Sequence, residues 1–97
     1  MPTSKGYKDY ILDQLNDLDE ITCKPMMGEY LLYYRGILFG GIYDDRLLVK
    51  EVESNKIYNM DEAIPYEKAK AMYLVYEVDN KEILKDIVLN TYKGLIK

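Results

Sequence analysis

With 97 residues and a formal net charge of −4, the chain is long enough for one domain with a substantial core and too short for a second. Its 13 basic and 17 acidic side chains are spread evenly over both halves, which argues against autonomous binding of duplex DNA. No apolar run resembles a membrane span or a secretory signal, so we expect a cytoplasmic protein with a single domain over residues 1–97.

Histidine is absent and cysteine occurs once, at Cys23. The chain therefore lacks the commonest metal ligand and the commonest general base near neutral pH. Cys23 could be a reactive thiol, but strand alternation points the adjacent cation, Lys24, to the opposite face. A half-buried structural cysteine is favoured. We predict a protein that is not an enzyme, with no catalytic residues, no metal site and no cofactor.

The first predicted element is an amphipathic helix over residues 5–18, with Thr3 or Ser4 as its N-cap. Polar and acidic residues from Asn16 to Glu20 indicate where this helix ends. Side chains at helical spacing form the stripe that faces the core: Tyr7, Tyr10, Ile11, Gln14, Leu15 and Leu18.

The sequence pattern of residues 24–50 predicts a β-meander with tight turns at the centre of the fold. Three apolar runs are separated by Arg35-Gly36 and by Asp44-Asp45, and Gly28 provides an earlier turn. The predicted strands cover residues 21–27, 29–35, 37–43 and 46–52. Pro25 cannot donate a ladder hydrogen bond, so the first strand belongs at an edge or a bulge.

Residues 53–61 are polar and aperiodic and predict a surface loop. Residues 63–70 are ambiguous between a short strand that ends at Tyr66 and a short helix that Pro65 opens. Strand character returns over residues 72–78. A second amphipathic helix then runs to near the C-terminus, with Asp79 as N-cap and Glu82 completing a capping box.

This order predicts a two-layer α+β domain, with an antiparallel sheet of five or six strands and both helices on one face. The second predicted strand is apolar on both sides: Tyr30, Leu32 and Tyr34 alternate with Leu31 and Tyr33. One apolar face would then remain uncovered by the helices. We therefore expect a homodimer that buries this face or pairs sheet edges.

Two further features have more than one interpretation. Gly40-Gly41 inside a strand indicates a bulge or a packing gap, and alternatively the close approach of a ligand or partner. The eleven tyrosines could form a stacking platform for single-stranded nucleic acid, or could fill the core and an interface. The second interpretation is favoured because the charges next to the strand tyrosines are largely acidic: Glu29, Arg35, Asp44 and Asp45.

The segment Pro25-Met26-Met27-Gly28-Glu29-Tyr30 is followed by Gly36, Phe39 and the strand from Arg46 to Lys50. In this order the motifs resemble the N-terminal domain of the TfoX/Sxy family of competence regulators, and Tyr76-Glu77-Val78 fits its closing strand. Met27 stands where the family commonly has phenylalanine, and Asp79-Asn80 replaces a common proline. The second, helical domain of full-length members has no counterpart in this chain, so the resemblance is to a stand-alone N-terminal domain.

This resemblance implies a secretion-chaperone-like α+β fold and a role in regulating DNA-uptake genes through a transcription activator, and it supplies no catalytic residues. Our leading hypothesis is a regulatory or adaptor domain that acts by protein–protein contact. Direct nucleic-acid binding is the alternative, followed by a small-molecule binder or small enzyme that uses a dimer cleft. The candidate interaction residues are Met27, Gly28, Tyr30, Tyr33, Phe39, Gly40, Gly41 and Lys50.

Overall fold

The computed structural model describes residues 3–97. In this range two α-helices flank a six-stranded antiparallel sheet with the spatial order β1-β2-β3-β4-β6-β5. The helices are α1 (Lys5–Gln14) and α2 (Lys81–Leu95), with a 3₁₀ helix at Glu53–Tyr58. The strands are β1 (Ile21–Met26), β2 (Glu29–Tyr34), β3 (Ile37–Ile42), β4 (Leu47–Val49), β5 (Asp61–Ala63) and β6 (Met72–Leu74). The predicted α+β architecture is confirmed.

Both helices pack on one face of the sheet, which we call the inner face. Ile11 of α1 and Leu84, Ile87 and Val88 of α2 are buried in the same core cluster as strand residues from this face, and so is Leu15, which follows α1. Those strand residues are Leu32, Tyr34, Phe39, Ile42, Leu47 and Val49. The helical stripes and the strand alternation thus meet in one apolar layer, which supplies the main driving force for folding.

The three predicted tight turns all occur, and each has positive φ at both central residues. The φ values are 50° and 87° at Met27-Gly28, 53° and 79° at Arg35-Gly36, and 53° and 55° at Asp44-Asp45. Type I′ turns require this pair of left-handed residues, and their twist matches that of antiparallel strands. The chain's short turns therefore determine the register of β1 to β4.

Pro25 lies on β1, at one edge of the sheet, as predicted. Arg35 donates its N–H to the carbonyl of Glu20, so alternation along the strand turns the backbone of Pro25 away from β2. The missing N–H of proline is therefore on the unpaired side and costs the ladder nothing.

A β-bulge adds one residue to β3. Leu32 pairs with Gly40 and Tyr33 pairs with Leu38, which leaves Phe39 as the extra residue. Phe39 is fully buried in the core. A Cβ on Gly40 would lie 2.2 Å from the carbonyl oxygen of Leu48, so glycine there allows β4 to pair with the bulged strand.

The N-terminal segment fastens two of the turns to each other. Thr3 donates its N–H to the carbonyl of Gly28 at 3.0 Å, and its hydroxyl lies 2.6 Å from a carboxylate oxygen of Glu29. The same Glu29 oxygen accepts the N–H of Asp44 at 3.1 Å, and Asp45 donates its N–H to the Thr3 hydroxyl at 3.2 Å. Ser4 then caps α1, since its hydroxyl accepts the N–H of Tyr7, which confirms one of the two predicted caps.

Several of the predicted element boundaries are wrong. The first helix ends at Gln14 rather than at residue 18, although Leu15 and Leu18 still reach the core. The predicted loop 53–61 contains the 3₁₀ helix and the start of β5. Residues 64–71 form an irregular loop, neither the short strand nor the short helix that was predicted. The strands β4 and β6 end at Val49 and Leu74, not at residues 52 and 78. The N-cap of α2 is Asn80, because Asp79 instead accepts a hydrogen bond from the Tyr10 hydroxyl.

Candidate functional site

The candidate site lies on the sheet face opposite the helices, which we call the outer face. Cys23 pairs with the core residue Leu32, so the neighbouring pairs, Lys24 with Leu31 and Thr22 with Tyr33, point outward. Leu31 and Tyr33 are half-buried, and so is Leu38, which pairs with Tyr33. The outer face of β1 to β3 is therefore apolar and partly exposed.

Residues 64–71, which we call the β5–β6 loop, cover the other part of the outer face. Arg46 holds this loop, with its guanidinium 3.2 Å from the carbonyl of Ile64 and 3.5 Å from that of Pro65. The ring of Tyr66 lies 6.0 Å from the ring of Tyr43, between centroids. Leu48, which points outward between β3 and β6, is fully buried under this cover.

A groove of about 680 Å³ separates the open strands from the β5–β6 loop. Its lining is mostly apolar, with Lys50, Glu51 and Lys70 as the charged members. Contributions from both sides make up the lining: Met26, Leu31, Leu38, Gly40, Tyr43, Lys50, Glu51, Pro65, Tyr66, Ala69, Lys70, Ala71 and Met72. Concave, largely apolar sites with a few convergent polar groups are typical of ligand binding.

The two lysines and the one glutamate of this groove differ in their electrostatic surroundings. Within residues 3–97 the ammonium groups of Lys50 and Lys70 form no ion pair and no hydrogen bond. Glu51 is engaged with Glu62 of β5: burial, a hydrogen bond to that carboxyl and its charge raise the pKa of Glu51, in decreasing order of effect. Lys50 and Lys70 are thus the cations available to an anionic ligand.

The predicted interaction residues do not form one surface. Met27 and Gly28 lie at the tip of the β1–β2 turn, where the Met27 side chain is 98% exposed. Tyr30 faces the helices, with the ammonium of Lys8 5.5 Å from its ring centroid. Tyr33 and Lys50 belong to the outer face, and the Lys24 ammonium lies 5.2 Å from the Tyr33 ring centroid.

Phe39, Gly40 and Gly41 are all buried. Phe39 has no exposed surface, because the bulge turns its ring into the core. A Cβ on Gly41 would lie 2.7 Å from the ring of Tyr43, so this glycine makes room for the tyrosine. Of the two interpretations of Gly40-Gly41, the bulge and the packing gap are what the structure shows, although Gly40 also lines the groove.

Cys23 is half-buried on the inner side of β1. Burial raises the pKa of its thiol and outweighs the opposing effect of the Lys8 charge. A thiol held in its protonated form is a poor nucleophile near neutral pH. This arrangement agrees with the structural role expected for the residue.

The β5–β6 loop and its Tyr66 and Lys70 were missed by reasoning from the sequence. One signal was available: Leu47-Leu48-Val49 is a continuous apolar run, which is typical of a strand buried on both faces. That run required a cover on the outer face. Nothing in residues 64–71 identifies them as the cover, because turn residues carry no periodicity.

Residues 3–97 contain neither a metal-binding cluster nor a helix that could span a membrane. No group of three or more Cys, Asp or Glu side chains there is placed to hold a metal ion. Neither helix of this range has the length and apolar character that crossing a membrane requires.

The TfoX N-terminal domain family matches residues 13–87, more than three quarters of the 97-residue chain. The match extends from the last two residues of α1, through the whole sheet, to the middle of α2. No curated protein and no solved structure matches the chain.

Proposed function

Because the chain belongs to the TfoX N-terminal domain family, we propose that it is a regulatory or adaptor domain, without catalytic activity, that acts by contact with other proteins. The family points to a role connected with competence and is not a known family of enzymes. The proposed setting is the regulation of DNA-uptake genes through a transcription activator.

One observation carries the proposal of protein contact. Leu31, Tyr33 and Leu38 present an apolar surface that the described part of the chain leaves partly exposed, although the β5–β6 loop covers the strands beside it. Contiguous apolar surface rimmed by polar groups usually marks a binding surface, since exposing it to water costs free energy. Lys24 and Thr22 form such a rim.

A second copy of the chain is the proposed first occupant of this surface, in a homodimer that brings the open strands of two sheets together. In a twofold interface the same surface patch of both copies packs together, which suits a patch that is mainly apolar and carries few charges. Cross-sheet packing of this kind leaves the helices and the β1–β2 turns exposed for a further partner.

Sedimentation equilibrium tests the dimer. The wild-type chain should sediment at twice its 11.4 kDa mass at micromolar concentration. Tyr33→Lys should shift it to monomer, because the new ammonium would be desolvated in the interface. Tyr76→Lys, at a ring that is 67% exposed on another part of the surface, is the matched control. A wild-type chain that is monomeric under these conditions would refute the dimer.

The regulatory role needs a separate experiment. In a naturally transformable host, a reporter for DNA-uptake genes should respond to the wild-type chain and to Tyr76→Lys, and should lose the response with Tyr33→Lys. Equal responses from all three chains, at matched protein levels, would show that the open strands have no part in regulation.

One observation favours direct nucleic-acid binding as a second candidate. The Lys24 ammonium lies over the ring of Tyr33 on the outer face. An aromatic ring can stack on a base while a nearby cation binds the phosphate. Fluorescence anisotropy with labelled oligothymidylate at low salt should then show binding that Lys24→Met weakens and that added salt abolishes. No change in anisotropy at low salt would exclude this candidate.

A further inference from the structure

We propose that the groove beside the β5–β6 loop binds a small organic anion with an apolar body, of the class of medium-chain alkyl or aryl carboxylates. The groove shares Leu31 and Leu38 with the surface proposed for the dimer, but it does not include Tyr33, so a Tyr33 variant can test the dimer and the groove separately. It rests on the shape of the groove, its lining and the charges at its margin.

The lining fits an apolar body. Met26, Leu31, Leu38 and Met72 come from four strands and expose thioether and aliphatic groups, which can adapt to a flexible chain or a ring. The small side chains of Ala69 and Ala71 keep the loop side of the groove open. The volume of about 680 Å³ falls within the range of about 300–1,000 Å³ that is usual for small-molecule sites.

The charges fit a single anionic group. The chain has a net charge of −4, yet Lys50 and Lys70 at this groove have no carboxylate partner within residues 3–97. Glu51, the acidic residue of the lining, is close enough to Glu62 of β5 for that carboxyl to raise the pKa of Glu51, after the larger effect of burial. A carboxylate between the two lysines would make charge-assisted hydrogen bonds while its apolar part displaces water from the groove.

Polar and aromatic contacts join the loop side of the groove to the sheet. Arg46 binds two of its carbonyls, and Tyr66 lies against Tyr43, while the Tyr66 ring remains 58% exposed. A ligand that contacts both Lys50 on the sheet and Lys70 on the loop would connect the two sides. Such a ligand would reduce the mobility of the loop, and amide exchange can measure that change.

Titration with 8-anilinonaphthalene-1-sulfonate, an aromatic anion that fluoresces in apolar sites, tests the proposal. Its fluorescence should rise to saturation with the wild-type chain, and sodium decanoate should displace it. Decyltrimethylammonium, which has the same chain length and the opposite charge, should not displace it. Failure of the fluorescence to saturate, or equal displacement by the two amphiphiles, would overturn the proposal.

Two variants locate the binding site. The double variant Lys50→Met and Lys70→Met should weaken decanoate binding roughly a hundredfold, because each of the two charge-assisted hydrogen bonds accounts for a factor of about ten. Lys93→Met, which removes an exposed lysine of α2 on the other side of the sheet, should leave the affinity unchanged. Unchanged binding in the double variant, or a loss in both variants, would contradict the site.

Hydrogen exchange provides a readout that does not depend on the dye. Decanoate should slow exchange of amides in residues 64–71 of the wild-type chain and of Tyr33→Lys, while the exchange of α2 stays unchanged. Protection spread evenly over the chain would indicate general detergent-like binding and would overturn the proposal. A Tyr33→Lys chain that is monomeric and still protected separates this inference from the dimer.

Discussion

At the scale of single residues, the most constrained polar group is Asn55 in the 3₁₀ helix. Its side chain is fully buried. It donates to the carbonyl of Lys50 at 2.8 Å and to the hydroxyl of Thr91 at 2.9 Å, and it accepts the N–H of Val52 at 3.2 Å. One amide thus joins the residue that follows β4, the 3₁₀ helix and α2.

Asn55→Ala should lower the free energy of unfolding by about 2–4 kcal/mol, because it leaves a buried carbonyl, a hydroxyl and an N–H without their partner. Urea denaturation monitored by circular dichroism measures the loss. Asn16→Ala, at an exposed asparagine, is the control and should stay within about 0.5 kcal/mol of the wild type. A loss below about 1 kcal/mol in Asn55→Ala would show that water replaces the amide.

Met27 is constrained by its backbone instead. Its φ of 50° is left-handed, and its side chain is almost wholly in water, so it has strain without compensating burial. Met27→Asn should raise the free energy of unfolding by about 0.5–1 kcal/mol, because asparagine tolerates this conformation in type I′ turns. Met27→Val should lower it, since a β-branched residue tolerates it poorly. The reverse order of urea midpoints would contradict this explanation of the turn.

At the scale of elements, the two helical glycines have opposite surroundings. A Cβ on Gly6 of α1 would meet nothing within 4 Å. A Cβ on Gly94 of α2 would lie 2.6 Å from both the Ser54 hydroxyl oxygen and a methyl carbon of Val52. Gly94 therefore sets how closely α2 approaches the segment around the 3₁₀ helix.

Gly6→Ala should stabilise the chain by about 0.5–1 kcal/mol through helix propensity. Gly94→Ala should destabilise it by about 1–2 kcal/mol, since the clash outweighs the same propensity gain. Thermal unfolding of both variants tests the difference in sign. Adding Val52→Ala to Gly94→Ala should recover part of the loss, and no recovery would mean that the clash is not with Val52.

How much of the fold could be predicted differs from element to element. The turns at 27–28, 35–36 and 44–45 were predictable, because two-residue turns between apolar runs have few solutions. The 3₁₀ helix was not, because its docking depends on the buried Asn55 and on Gly94, a residue of another element. The groove could not be predicted either, because its loop is held in place by Arg46 and Tyr43, which lie beside the β3–β4 turn and are distant from the loop in sequence.

At the scale of the whole molecule, buried and half-buried tyrosines should make the free energy of unfolding fall at alkaline pH. Burial is the main cause that raises the pKa of Tyr7 and Tyr43 above the ordinary value of 10.0, and nearby carboxylates add to the effect. A group whose pKa is higher in the folded state binds its proton more tightly there. Its contribution is therefore complete below the unfolded pKa and is lost as pH rises through the folded pKa.

Above neutral pH, the free energy of unfolding should begin to fall near pH 9, where the Cys23 thiol titrates in the unfolded chain, and should fall more steeply above about pH 10. Tyr7→Phe with Tyr43→Phe should reduce the slope of that fall. Some slope should remain, because hydrogen bonds to Asp9 and Glu53 also raise the pKa of Lys8 and Lys56. Urea titrations at successive pH values provide the measurement, with the exposed Tyr76→Phe as control. Parallel curves for the wild type and the double variant would contradict the assignment.

The hydrogen bonds of Thr3 have a practical consequence for anyone who labels or immobilises this protein. Its N–H and hydroxyl connect the β1–β2 turn to the β3–β4 turn through Glu29, so a bulky fusion placed directly before it would pull on both hairpins. Ile96, which follows α2, is 53% exposed, and it donates its backbone N–H to the carbonyl of Tyr92. Affinity tags, fluorophores and surface-coupling chemistry therefore belong after Lys97, where they leave the sheet undisturbed.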